Sequence, residues 1–93
     1  MIHVLIERYI AEDMISTYNE LARKALQRTY MAPGFISGES FIDSHDPYRR
    51  FLMCKWRSPQ DWYLWESSDE RMDLVSQILT ILKEPERVVV MEN

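Results

Sequence analysis

The strand-forming stretches of this chain carry large apolar side chains on both of their faces. Phe35 and Phe41 alternate with Ile36 and Ile42, Phe51 and Met53 with Leu52, Cys54 and Trp56, and Val89 and Met91 with Val88 and Val90. Successive side chains of a strand point to opposite faces, so a sheet built from these stretches is apolar on both sides. One layer of helices covers only one side. The other would form a contiguous apolar patch, although burying each large side chain is worth about 1.5–3 kcal/mol. With 93 residues the chain has material for one core, so a single domain spanning residues 1–93 is expected. A homodimer meeting through the open sheet face, with two-fold symmetry, is its simplest completion.

The local patterns supply the elements. Residues 2 to 8 alternate Ile2, Val4 and Ile6 against His3, Leu5 and Glu7, a strand in which only the first set is purely apolar. From Asp13 to about Met31 the period becomes helical, with Met14, Tyr18, Leu21, Ala22, Ala25 and Thr29 on one stripe. Asp13 or Glu12 is placed to start this helix and Pro33-Gly34 to stop it. Strands are expected from Phe35 to about Asp43 and from Arg50 to Trp56, around a turn at Ser44-His45-Asp46-Pro47 longer than two residues.

Ser58-Pro59-Gln60-Asp61 is a full set of helix-start signals. Trp62 to Leu82 divides at Ser67-Ser68 into two helical pieces, the second with Met72, Val75, Ile78, Leu79 and Leu82 as its stripe. Pro85 ends it, and Arg87 to Glu92 is the last strand. The order β-α-β-β-α-β with right-handed crossovers gives a ferredoxin-like α+β fold, a four-stranded antiparallel sheet with helices on one face.

Composition excludes several function classes. A net charge of -4 argues against nucleic acid as the main partner, since backbone binding needs clustered Lys and Arg. No apolar run approaches the roughly 20 residues that cross a bilayer, and MIHVLIERY lacks a signal peptide's basic lead and cleavage site, so no membrane partner and a cytoplasmic location are expected. Cys54 stands alone, which rules out an internal disulfide; in its apolar segment it reads as a buried thiol. His3 and His45 lie in distant elements without a ligand-spaced partner, so no metal site is expected.

Four stretches have a familiar form: IERY at 6 to 9, PGFISGES at 33 to 40, KWRSPQDWYLWESSDER at 55 to 71, and the terminal RVVVME. Across essentially the whole chain the sequence resembles the antibiotic biosynthesis monooxygenase domain family of dimeric α+β barrel proteins. The middle block carries most of the likeness, with a Trp closing the third strand, a polar helix cap, and a second aromatic before a Ser-containing break. The resemblance implies dimers packed sheet to sheet, each subunit holding a small-molecule cavity between its own sheet and helices. Some members convert polycyclic aromatic phenols to quinones with molecular oxygen and no metal or flavin, so no cofactor is expected; others degrade haem.

The haem-degrading branch matches poorly at its functional positions. Its pocket tryptophan falls on Trp65, but its iron-ligating histidine falls on Val75 and its strand-one asparagine on Glu7. The quinone-forming branch lines its cavity with an asparagine, a tryptophan, tyrosines and an arginine, of which Trp65 alone has a firm counterpart.

Cofactor-free oxygenation needs a substrate that loses a proton, a base to take it, a donor for the resulting anion and little water. The family comparison turns His3, Leu5 and Glu7 towards the helices. Enclosed with Tyr18, Trp62 and Trp65, Glu7 would be pushed up towards a useful base by desolvation; the plainer account is a strand-end Glu paired with Arg8, Arg50 or Arg71. His3 is the alternative base, or a structural histidine. Trp62 and Trp65, three apart, share a helix face as core or as a wall for a flat ligand. Arg71 either reaches an anionic substrate oxygen or is an ordinary surface arginine.

The catalytic candidates are therefore Glu7, His3, Trp65 and Arg71, and the pocket candidates Leu5, Tyr18 and Trp62. An oxygenase of small aromatic phenols, a non-catalytic ligand-binding module and, more remotely, a single-stranded nucleic-acid binder compete for this framework.

Overall fold

Burial along the first strand follows its two-residue period. In the computed structural model, which describes residues 1–93, strand β1 (Ile2–Tyr9) buries Ile2, Val4, Ile6 and Arg8 and leaves His3, Leu5, Glu7 and Tyr9 half-buried. Helix α1 (Ile15–Thr29) is followed by the hairpin β2 (Phe35–Asp43) and β3 (Asp46–Trp56), helices α2 (Pro59–Glu66) and α3 (Asp69–Thr80), and strand β4 (Arg87–Glu92). The sheet order is β2-β3-β1-β4 and every pairing is antiparallel. This is the ferredoxin-like α+β fold, with all helices on one face of a four-stranded sheet.

The registers place Ile6 beside Leu52 and Val88, and Leu5 beside Met53 and Val89. Even-numbered residues of β1, β3 and β4 therefore face the helices, where Ile2, Val4, Ile6, Cys54, Trp56, Trp62 and Trp65 form the main core cluster. A second cluster of Ile10, Tyr18 and Ile78 closes the end at which the backbone beyond β1 bonds the end of α3.

Several local expectations are corrected. Asp13 sits at φ +64 with Met14 as N-cap, so its left-handed backbone turns the chain into α1 and no side chain caps the helix. Asp43 pairs with Asp46, so the hairpin turn is Ser44-His45 alone. Pro47 lies inside β3 ahead of its pairing with β1, which begins at Arg49, where its missing N–H breaks no ladder bond. On α3 the buried stripe is Arg71, Val75 and Ile78, with Met72 and Leu79 exposed.

The turn into β2 needs its glycine. Gly34 has φ +85, and a methyl group there would run into the Asp61 side chain. Asp61 belongs to the start of α2, so this turn fixes where α2 begins against the sheet.

Candidate active site

Between the sheet and the helices lies a cavity of about 40 Å³. Ile6, Arg8, Leu52, Cys54 and Trp56 form its sheet side, and Tyr18, Ala22, Ala25, Leu26 and Thr29 of α1 face them. Trp62, Trp65, Arg71, Leu74 and Val75 of α2 and α3 close it. Ser40 is exposed and Ala22, Leu26 and Leu52 are partly so, which puts the mouth between α1 and the edge strand β2. The closed end, at the tryptophans and Arg71, is buried.

The walls are aromatic. The Trp56 ring lies 5.7 Å from Trp62, 6.5 Å from Trp65 and 5.2 Å from Phe35, centroid to centroid. Trp56 and Trp62 are almost fully buried, yet the indole N–H of each has no hydrogen-bond partner within the protein. Buried donors without partners are uncommon; here both belong to side chains lining one cavity.

The polar end is a charged cluster. Arg8 donates from Nε to Glu86 Oε2 at 2.8 Å and Arg71 from Nη2 to Glu86 Oε1 at 3.2 Å. Arg8 also donates from Nη1 to the Tyr18 hydroxyl at 3.4 Å, and the Arg71 guanidinium stacks over Trp62 at 5.4 Å. Burial alone would raise the Glu86 carboxyl, but the charges and hydrogen bonds of Arg8 and Arg71 together hold it below the usual carboxylate range. Burial opposes the Arg8 charge, and Tyr18 and Glu86 more than offset it, leaving its pKa raised. Arg50, directly across the sheet ladder from Arg8, stacks on the Tyr18 ring at 5.6 Å and donates to Asn19 Oδ1 at 2.8 Å.

Of the residues expected at a site, Tyr18, Trp62, Trp65 and Arg71 converge on this cavity. His3, Leu5 and Glu7 do not, because they share the odd-numbered face of β1, which turns away from the helices. Glu7 is paired there with Arg49, donating from Nε at 2.7 Å, and with Arg87 at 3.7 Å, so it lies outside this cavity and its partners are not the expected Arg8, Arg50 or Arg71. Arg71 is buried, contrary to its surface reading.

Arg8, Glu86 and Trp56 were not among the expected site residues. Arg8 had a signal, since it continues the buried series Ile2, Val4, Ile6 by one more step. Cys54 is buried, with its thiol pushed up to about 11 by desolvation, which Arg8 and Arg71 only partly oppose; it is a wall residue and a poor nucleophile. Haem does not fit: Val75 brings no ligand to the cavity, which is far too small for a porphyrin.

A sequence model described as antibiotic biosynthesis monooxygenase matches residues 1–77. The chain belongs to the antibiotic biosynthesis monooxygenase family. A solved antibiotic biosynthesis monooxygenase is 20% identical, aligning over 100% of this chain and 98% of its own with a TM-score of 0.91. A conserved protein from Methanosarcina mazei Go1 is 12% identical over 99% of this chain and 91% of its own, with a TM-score of 0.92. SnoaB, a cofactor-independent oxygenase from Streptomyces nogalater, is 5% identical over 99% of this chain and 92% of its own, with a TM-score of 0.86. Such identities establish a shared fold. No curated protein matches the sequence. The stretch matched to the antibiotic biosynthesis monooxygenase family contains Arg8 and Arg71 and stops short of Glu86.

Proposed function

We propose that this protein is a cofactor-independent monooxygenase of small phenolic aromatics, working as a homodimer. The observation that carries the reading is the pairing of an apolar, tryptophan-walled cavity with two buried guanidinium groups at one end. An aromatic body suits the walls, and its oxyanion suits Arg8 and Arg71. Tyr18, accepting from Arg8, keeps its own O–H free to donate. Glu86 is engaged by both arginines and held ionised, so the phenol proton passes to solvent, drawn off by the positive field instead of by a dedicated base.

The electron-rich phenolate then reduces oxygen. One oxygen atom bonds to the ring carbon para to the hydroxyl; the other leaves as water with the phenol proton and the hydrogen of that carbon. Phenol and oxygen become p-quinone and water, the substrate supplying all four electrons. A ring is larger than this cavity, so its entry requires the partly exposed Leu26 and Leu52 at the mouth to move aside. Dimer formation is supported by the face opposite the helices, where Leu5, Phe51, Met53 and Met91 remain half-buried and Phe41 and Val89 exposed.

Oxygen uptake with a panel of naphthols and other phenols that carry hydrogen on the carbon para to the hydroxyl, with quinone followed by absorbance, tests this reading. Equal consumption of phenol and oxygen is expected. Arg71→Gln should lower turnover on the order of a hundredfold, the effect of losing one oxyanion donor, and Trp65→Phe should also lower it. Glu7→Gln tests the base expected from sequence: full activity removes Glu7 from the chemistry. A second reading, ligand binding without turnover, is favoured by the small cavity and by the lack of a free carboxylate or imidazole along it. Calorimetric binding of the same phenols without oxygen uptake would establish it.

A further inference from the structure

Glu86 lies in the connection between α3 and β4, beyond the stretch matched to the family. It is the acidic group that engages both cavity arginines, one through each carboxylate oxygen. Its side chain is only 12% exposed and those of Arg8 and Arg71 only 5% and 11%, so water screens this cluster little. Two guanidinium groups against one carboxylate leave a surplus of one positive charge beside the cavity. Arg50, behind the Tyr18 ring, adds to the field without lining the cavity, and its own donors go to Asn19 and to the Pro47 carbonyl. Glu7, Arg49 and Arg87 belong to the opposite face of the sheet. The unpartnered Trp56 and Trp62 N–H groups add donors and no charge.

We propose that Glu86 is the positioning residue that sets how strongly the cavity prefers a singly charged aromatic oxyanion over the neutral molecule: Arg8 and Arg71 create that preference, and Glu86 limits it. Glu86 holds the two guanidinium groups together and cancels one of them. Without it the cavity has a surplus of two charges and attracts anions more strongly; with Glu86 present and Arg71 neutralised, it has none. This deepens the oxygenase reading and rests on it only for the ligand's place between sheet and helices.

The test uses 4-nitrophenol, whose ionised form is read directly by absorbance, bound to the full chain in four forms. In the wild type the ionisation midpoint of the bound phenol lies below that of the free phenol. Glu86→Gln lowers it further and Arg71→Gln raises it. The double variant Glu86→Gln/Arg71→Gln, which again has one surplus charge, returns it towards the wild-type value. Each unit of surplus charge should change the anion-to-neutral affinity ratio by roughly tenfold or more at this depth.

A purely structural Glu86 would alter affinity for both forms alike and leave the midpoint in place, and that result overturns the proposal. So does a wild-type midpoint equal to the free phenol's, or failure of 4-nitrophenol to bind. If Glu86→Gln does not fold, the comparison of Arg71→Gln with the double variant decides: removing Glu86 there must restore the preference for the anion. Oxygen uptake is measured separately. A charge-dependent midpoint without uptake sinks the oxygenase and leaves this inference standing, whereas uptake with a charge-independent midpoint does the reverse.

Discussion

At the scale of single residues, the clearest consequence concerns acid. Glu86 has its pKa lowered in the folded protein, so its stabilising contribution is complete above the unfolded carboxyl value of about 4.3 and is lost as pH falls through the lower folded value. Urea unfolding of wild type and Glu86→Gln between pH 7 and pH 3 should give a stability difference that favours wild type at neutral pH. It should narrow below about pH 4.3, because a protonated Glu86 behaves like the amide. The other lowered acidic groups, half-buried Asp43 and Asp61 and exposed Glu20, are common to both proteins and cancel. A difference that stays constant to pH 3 would disprove the coupling. The same residue marks the limit of sequence reading: nothing in Glu84-Pro85-Glu86 distinguishes the glutamate that reaches inward from its exposed neighbour. Arg8 was partly legible, since its parity groups it with Ile2, Val4 and Ile6 whichever side of the sheet they take.

At the scale of elements, the start of α2 is where local sequence and structure agree most closely. Ser58 accepts from the Asp61 N–H at 3.2 Å and donates to Asp61 Oδ2 at 3.0 Å, Pro59 opens the helix, and Arg57 pairs with Asp61 at 3.0 Å. Ser58→Ala should destabilise the protein by about 1 kcal/mol in urea unfolding, and Ser58→Asn should retain most of the wild-type value. Since α2 holds Trp62 and Trp65, the alanine variant should also change near-ultraviolet circular dichroism; unchanged stability would mean that the packing of the tryptophans alone fixes this turn. The elements, their order and the break at Ser67-Ser68 could be read because each depends on neighbours within a few residues. The facing of β1 could not. His3, Leu5 and Glu7 against Ile2, Val4 and Ile6 is a choice between two sides of one sheet, and tertiary partners decide it: Glu7 meets Arg49 and Arg87, while the purely apolar set meets the tryptophans.

At the scale of the whole molecule, the sheet face away from the helices is where the proposed dimer is tested. Met53 lies there in register with Leu5 on one side and Glu39 on the other. In a two-fold dimer each substitution enters the interface twice, so Met53→Glu should raise the dimer dissociation constant on the order of a hundredfold or more. Sedimentation equilibrium should find wild type at twice the chain mass and the variant shifted towards one; a monomeric wild type would refute the dimer. The strand order has a temporal consequence as well. Arg8 is in the first strand of the domain, yet that strand sits inside the sheet between β3 and β4, and the carboxylate that pairs with it comes just before β4. Until Glu86 and β4 are synthesised and docked, two cationic side chains destined for the interior lack the anion that pairs with them. A chain cut before Glu86 should therefore keep this region hydrated and open, and the cavity should mature only once β4 has docked.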